Sequence, residues 1–332
     1  MSSPLLYVGL DVGGTTMKAA VVDDHGKAFP SSTLPTEAFK GQEHGLNQMC
    51  ATIRKAIAAA GKSEKDIAAI GVATPGTMDI PNGIILDPPN LKPWQNVPVR
   101  KHVHEVFGIP TAFQNDANAA AFGEYWVGAG REAKSMVMFT LGTGIGGGVI
   151  INDFVLEGQH SHGAEVGHMK IDLGKNRRCG CGRWGCLEAF ASAKSVVKRA
   201  EEAVARVTGP SILGDLLKAT DEELPAKVVF QAADQGDEVA KKLVLDTAYY
   251  LAVGATNMMH LIDPDMIVYA GGMTAAGEPF LNQIKGYINE LAFPVPAEKT
   301  IVRYAKLGND AGMIGAAACA RQLVMKLASG TP

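Results

Sequence analysis

The sequence has no excess of charge of either sign. Its 31 Lys and Arg stand against 34 Asp and Glu, a formal net charge of −3, and no run of like charges stands out. Nucleic-acid binding needs a basic face, so no nucleic-acid partner is expected. Apolar runs are short and broken by Gly, Asp or Pro; none approaches the roughly 20 residues of a membrane helix. No membrane partner is expected. The opening MSSPLLYVGLDVGG lacks a charged segment followed by a long apolar stretch, so it does not read as a signal peptide. Cysteine is scarce: Cys50, Cys179, Cys181, Cys186 and Cys319. An odd count without a secretory signal argues against a disulfide framework and makes a cytoplasmic location the expectation.

What is present is apolar content and glycine. With 332 residues, 47% hydrophobic, the chain is expected to be a soluble globular protein of two domains. Many of its 38 glycines are clustered, which signals tight turns and close backbone approach. Residues 5–10 and 17–23 read as paired strands joined by Asp11-Val12-Gly13-Gly14-Thr15-Thr16. A third strand is expected near 27–34, a helix over 43–60, and a buried strand over 67–76 that ends in a Pro-Gly turn. Residues 79–97, rich in Pro and Asn, suggest a small hairpin and a loop. A strand over 109–116 leads into a helix, and the first domain boundary is placed there. Residues 135–153 then repeat the opening pattern of strand, glycine turn and strand, which suggests an internal duplication. Residues 187–260 read as mainly helical, with breaks at Gly209-Pro210 and Leu224-Pro225. Strands are expected over 265–273 and 299–305, and an alanine-rich helix over 311–328.

Four motifs carry chemistry. In the first, Asp11, Gly13, Gly14, Thr15, Thr16 and Lys18 bracket a turn whose backbone N–H groups can face an anion. Asp11 suits a magnesium ion held partly through water, and Lys18 suits phosphate charge; the bland alternative is a glycine hairpin with a surface lysine. The second motif is Gly142-Thr143-Gly144-Ile145-Gly146-Gly147. It matches GxGxxG, but the dinucleotide fingerprint opens a helix, whereas here a β-branched run follows. The Walker pattern is absent. Two such clasps, with Gly271 and Gly272 after a later strand, point to the way actin, hexokinase and Hsp70 hold ATP. Third, Asp116 after Asn115 reads, taken alone, better as a helix cap; in a kinase cleft the same carboxylate can accept a hydroxyl proton while Asn115 fixes orientation. Fourth, His168 with Cys179, Cys181 and Cys186 makes the Cys₃His set of a closed structural zinc site. A redox pair and plain buried thiols are the weaker alternatives. Such a clip would bring Glu165 and Glu188 together.

These residues resemble the ROK family of repressors and sugar kinases, and its glucokinases in particular, over nearly the whole chain. The resemblance rests on Leu141 to Gly146, on Glu165-Val166-Gly167-His168, on the segment Cys179 to Glu188, and on Asn90-Leu91-x-x-Trp94. It implies an α/β fold of the ribonuclease-H-like type, with two domains of the actin/hexokinase/Hsp70 ATPase plan and ATP and sugar in the interdomain cleft. The expected division is residues 1–115 plus 311–332 against 116–310. Asp116 is implied as base on the 6-hydroxyl of glucose. Gly76, Asn115, Glu165, His168 and Glu188 are implied as sugar contacts, His168 also serving as a zinc ligand. Both glycine clasps would embrace the phosphates, and Gly271 and Gly272 would approach the adenosine. ATP, Mg²⁺ and one structural Zn²⁺ are implied, in a homodimer or homotetramer. Relatives acting on N-acetylmannosamine, N-acetylglucosamine, mannose, fructose or allose share these motifs. A non-catalytic sugar-sensing regulator would carry an additional N-terminal helix-turn-helix, for which the strand at residue 5 leaves no room. One departure stands out: His160-Ser161-His162-Gly163-Ala164 differs from the Gly-x-Ala-Gly arrangement usual before the glutamate.

Overall fold

A computed structural model describes residues 4–207, 209–220 and 226–330. Strand β1 (Leu6–Val12) is almost wholly buried. It pairs antiparallel with β2 (Thr16–Asp23), Leu6 opposite Asp23 and Val12 opposite Met17. The turn between them is therefore only Gly13 to Thr15. Strand β3 (Ser32–Pro35) adds to β2. Helix α1 (Gln42–Ala59) buries Leu46, Met49, Ile53 and Ile57, the three-and-four spacing of an apolar helix face. Parallel to β1 lies β4 (Ile67–Thr74). The small hairpin is β5 (Thr77–Asp79) with β6 (Ile84–Asp87). Helix α2 (Val99–Phe107) has no counterpart among the sequence expectations. Only Val99 and Val103 are buried on it, too short a stripe to read as periodic. Strand β7 (Thr111–Asn115) runs parallel to β4 and feeds α3 (Asp116–Val127).

The second half restarts with β8 (Ser135–Leu141), β9 (Ile145–Ile151) and β10 (Phe154–Val155). Helices α4 (Glu188–Ala191), α5 (Ala193–Val204), α6 (Ile212–Ala219), α7 (Ala226–Asp234) and α8 (Glu238–Ile262) follow. The break expected at Gly209-Pro210 falls between α5 and α6; that at Leu224-Pro225 lies outside the described residues. Strand β11 (Met266–Ala270), helices α9 (Gly277–Leu291) and α10 (Pro294–Lys299), strand β12 (Ile301–Tyr304) and helix α11 (Ala311–Ser329) complete the chain.

The two main sheets have the orders β3-β2-β1-β4-β7 and β10-β9-β8-β11-β12. Counted within each sheet, both read third, second, first, fourth, fifth, and in both the first, fourth and fifth strands are parallel. The repeated strand–glycine–strand motif thus marks a duplicated sheet, as a recurring sequence pattern implies.

By internal packing the chain forms two compact units, Met1–Ala133 with Gly148–Ala164 and Lys306–Pro332, and Lys134–Gly147 with Glu165–Ala305. Helix α3 thus groups with the residues before it, not with the stretch 116–310. The reason is close packing on α11 and on β9: a Cβ at Gly315 of α11 would lie 1.6 Å from the Ala119 carbonyl oxygen, and one at Gly148 of β9 would lie 2.5 Å from Ala121 Cβ. Within the first unit Trp94 is fully buried, its Nε1 donating to the Ala38 carbonyl at 3.1 Å. No helix among the described residues is long and apolar enough to cross a membrane.

Candidate active site

In the first unit the β1–β2 register sets Asp11 opposite Lys18. The Asp11 carboxylate abuts the start of α11, where a Cβ on Gly312 would come within 2.4 Å of Oδ2. Burial, and then the charge of Asp116, push Asp11 up to about 6 against the opposing pull of Lys18. Lys18 Nζ is paired with Asp310. The turn is braced by Thr36, whose Oγ1 donates to the Gly13 carbonyl at 2.7 Å and whose N–H donates to that of Thr15 at 2.8 Å. Gly14, Thr15 and Thr16 are exposed.

At the β7–α3 junction the cap is Asn115, not Asp116. Asn115 Oδ1 accepts from the backbone N–H of Ala117 at 2.9 Å and of Asn118 at 3.2 Å. The reading of Asp116 as a simple cap is corrected: it is the first helical residue, where the helix dipole favours an anion. Behind it, Gln114 Oε1 accepts from Asn115 N–H at 2.8 Å, and Gln114 Nε2 donates to Glu157 at 2.8 Å. At the other end of α3, the wholly buried Glu124 accepts from the N–H groups of Ala129 (2.7 Å), Lys306 (2.9 Å) and Leu307 (2.6 Å). Glu124 thereby ties α3 to the segment that leads to Asp310. Neither acid was singled out from sequence; an acid inside an alanine-rich apolar stretch was the available signal for Glu124. Gly76, after β4, has φ 97°, and a Cβ there would meet Pro88 Cα at 2.6 Å.

In the second unit the glycine turn is Gly142 to Gly144, closed by Gly142 N–H to the Gly144 carbonyl at 3.0 Å. Gly146 and Gly147 lie in β9. A Cβ on Gly147 would fall 2.4 Å from the Met138 carbonyl oxygen, so backbone packing demands glycine there. The glycines run into a strand and open no helix, as the rejection of the dinucleotide motif requires. Gly142, Thr143 and Gly272 line one cavity of about 860 Å³ together with Lys227, Phe230 and Gln283. Gly271 stands beside it, its Cβ position 2.5 Å from the Leu141 carbonyl oxygen.

Glu188 touches this turn. A Cβ on Gly144 would sit 2.5 Å from its Oε2, which accepts from Ile145 N–H at 3.0 Å. Its Oε1 accepts from the Cys179 thiol at 3.2 Å. Burial is the leading cause that pushes that thiol up. The ligand atoms of His168, Cys179, Cys181 and Cys186 all lie within 4.8 Å of one another. His168 Nδ1 is 3.7 Å from Cys179 Sγ, and Cys181 Sγ is 3.8 Å from Cys186 Sγ. All five cysteines are free. Zinc–sulfur bonds of about 2.3 Å in a tetrahedron place sulfurs about 3.8 Å apart, so the donor set and its spacing fit a metal ion rather than a disulfide. Glu165, just before the short turn carrying His168, is exposed.

The unusual loop before Glu165 has left-handed residues at Ser161 and Ala164 (φ 58° and 60°). Ser161 Oγ accepts from Ile80 N–H at 3.0 Å, and His160 and His162 are exposed and outside the metal-type cluster.

Two like-ordered sheets, each opened by a strand, a glycine turn and a strand, define the actin-like ATPase fold. Residues 7–323 match the ROK family, and the chain belongs to it. It is 37% identical to a glucokinase of Halalkalibacterium halodurans, over 93% of either chain. It is 28% identical to a xylose repressor of Caldicellulosiruptor bescii, over 93% of this chain and 76% of that one. A ROK family glucokinase from Streptomyces griseus, solved in complex with glucose and AMPPNP, superposes with a TM-score of 0.75 at 32% identity, covering 96% of this chain and 99% of that one.

Proposed function

We propose that the protein is an ATP-dependent hexose kinase that transfers the γ-phosphoryl group of ATP to the 6-hydroxyl of glucose. The observation that carries this reading is the placement of Asp116 at the first position of α3, close enough to Asp11 for their charges to interact. One acid of such a pair serves the hydroxyl and the other serves the metal–phosphate side.

Asp116 accepts the proton of the 6-hydroxyl as its oxygen attacks phosphorus. Asn115 spends its Oδ1 on the helix cap, which leaves Nδ2 as its donor to the sugar. Gly76 lines the sugar pocket with its backbone. Glu165, Glu188 and the second ring nitrogen of His168 take further hydroxyls; each Glu188 oxygen has a second lone pair beyond its present donor. The segment Gly13 to Thr16, with Lys18, and the segment Gly142 to Gly147 hold phosphates. The cavity beside Gly271 and Gly272 takes the adenosine. Asp11 would hold Mg²⁺ partly through water: a buried carboxylate beside another carboxylate is costly as an anion and is relieved by a cation. Bound Mg²⁺ would supply charge neutralisation at the phosphates. His168, Cys179, Cys181 and Cys186 would hold Zn²⁺, and four protein ligands leave it a structural role. The domain cut follows the two packing units.

A sugar panel with coupled ADP detection tests the reading. Glucose is expected to give the highest kcat/KM among glucose, mannose, fructose, allose, N-acetylglucosamine and N-acetylmannosamine. A different preferred sugar would reassign the substrate within the family. Similarity to a xylose repressor supports a second reading, a sugar-sensing regulator. Sugar binding without ADP release would favour it.

A further inference from the structure

Residues 169–171 and 185–187 form a short antiparallel pairing. Leu187 N–H donates to the Met169 carbonyl and Ile171 N–H to the Gly185 carbonyl, both at 2.9 Å. Lys170 therefore stands directly opposite Cys186, and directly opposed residues of an antiparallel pair share a face. Its Nζ donates to Cys186 Sγ at 2.9 Å. Backbone register and not side-chain chance thus delivers the ammonium to the sulfur.

A divalent ion among three thiolates and a neutral imidazole leaves one net negative charge. The carboxylate of Glu188, 3.2 Å from Cys179 Sγ, adds a second. The geometry points to Lys170 as the charge-balancing positioning residue of the metal clip: it donates to the Cys186 sulfur, offsets the negative charge of the loaded site and holds that thiolate in its ligand orientation. Groups that bond to a metal's ligands tune affinity through such contacts. The inference rests on the proposed zinc reading and deepens it. Because Lys170 is exposed, screening moderates the effect.

The test uses full-length protein and zinc itself, with competition against a chromogenic chelator. Lys170→Met, Lys170→Gln and Lys170→Arg are compared with wild type. Lys170→Met is expected to weaken zinc binding about 10-fold, the lower end for a group that bonds to a ligand. Lys170→Arg should restore most of the affinity, and Lys170→Gln, a donor without charge, should fall between. In cobalt-substituted protein, loss of the N–H···S bond raises the energy of the thiolate electrons. The thiolate-to-cobalt absorption band of Lys170→Met should therefore move to longer wavelength, a change that a merely structural defect would not produce. Equal affinity and an unshifted band in Lys170→Met would overturn the assignment of Lys170 while leaving the zinc reading intact. Failure of wild type to take up zinc would overturn both.

Discussion

The turn after β1 and the turn after β8 occupy the same place in two sheets of identical order, yet they carry different side chains. Asp11 and Lys18 flank the first. Counted the same way along β8 and β9, Thr140 and Gly147 take these places in the second, and at Gly147 even a Cβ would meet the Met138 carbonyl oxygen at 2.4 Å. The contrast continues after the fifth strands. Strand β7 delivers Asn115 and Asp116 onto a helix, whereas β12 ends in Tyr304 and a loop before α11. In place of charge, the second half inserts a Cys₃His cluster and sets Glu188 against its own glycine turn. A duplicated backbone has thus been loaded asymmetrically. One half holds the acids proposed for proton and metal; the other holds the metal clip and the large cavity.

The sharpest way to break this comparison is Asp116→Asn. It should lower kcat about 10²- to 10⁴-fold, the usual worth of general base catalysis, with glucose affinity changed only a few-fold. Steady-state kinetics beside calorimetric binding would check it. Near-normal turnover would remove the first half's claim to the chemistry. Cys181→Ser acts on the other half. It should lose stoichiometric zinc, read by metal analysis, and weaken glucose binding at least about 10-fold, since displaced ligand-shell groups cost affinity on that scale. A zinc-free variant with full sugar affinity would end the structural-clip reading.

Proton competition separates the two turns more gently. Asp11 is raised to about 6 from 3.8. As pH falls through about 6 the carboxylate of the free protein gains its proton and loses its charge. Mg²⁺–nucleotide affinity should therefore be steady above that pH and decline below it, by at most about tenfold per pH unit. Asp11→Asn should bind weakly with no such step; an unchanged step in that variant would place the titrating group elsewhere. The smallest effect on turnover is expected from Gly315→Ala, which probes the packing that groups α3 with α11. A Cβ 1.6 Å from the Ala119 carbonyl oxygen forces backbone movement and should cost about 1–3 kcal/mol as overpacking does. Thermal melting reads it, and an unchanged Tm would contradict the close packing.

Much of this was legible in the sequence because it is local. Glycine turns between apolar runs place β1–β2 and β8–β9, and the Cys-x-Cys spacing with His168 places the clip. Other features are set by partners far along the chain. Asp310 pairs with Lys18 across 292 positions, and Glu124 accepts from Lys306 and Leu307; neither leaves a periodic trace. Gly315 is a glycine because the Ala119 backbone, far along the chain, crowds it, and nearby residues do not disclose that. The cap falls on Asn115 and not on Asp116 through a one-residue shift of the helix start, a scale on which sequence patterns place helix ends poorly. Helix α2 escaped because two buried valines make too short a pattern.

The division of labour between the halves is tested most directly by one paired measurement: calorimetric glucose binding and ADP release for Asp116→Asn and Glu188→Gln side by side. The account predicts that Asp116→Asn binds glucose nearly as wild type does but releases almost no ADP. It predicts that Glu188→Gln binds glucose markedly more weakly yet still turns over at saturating sugar. The reverse pattern, or Asp116→Asn turning over like wild type, would contradict it.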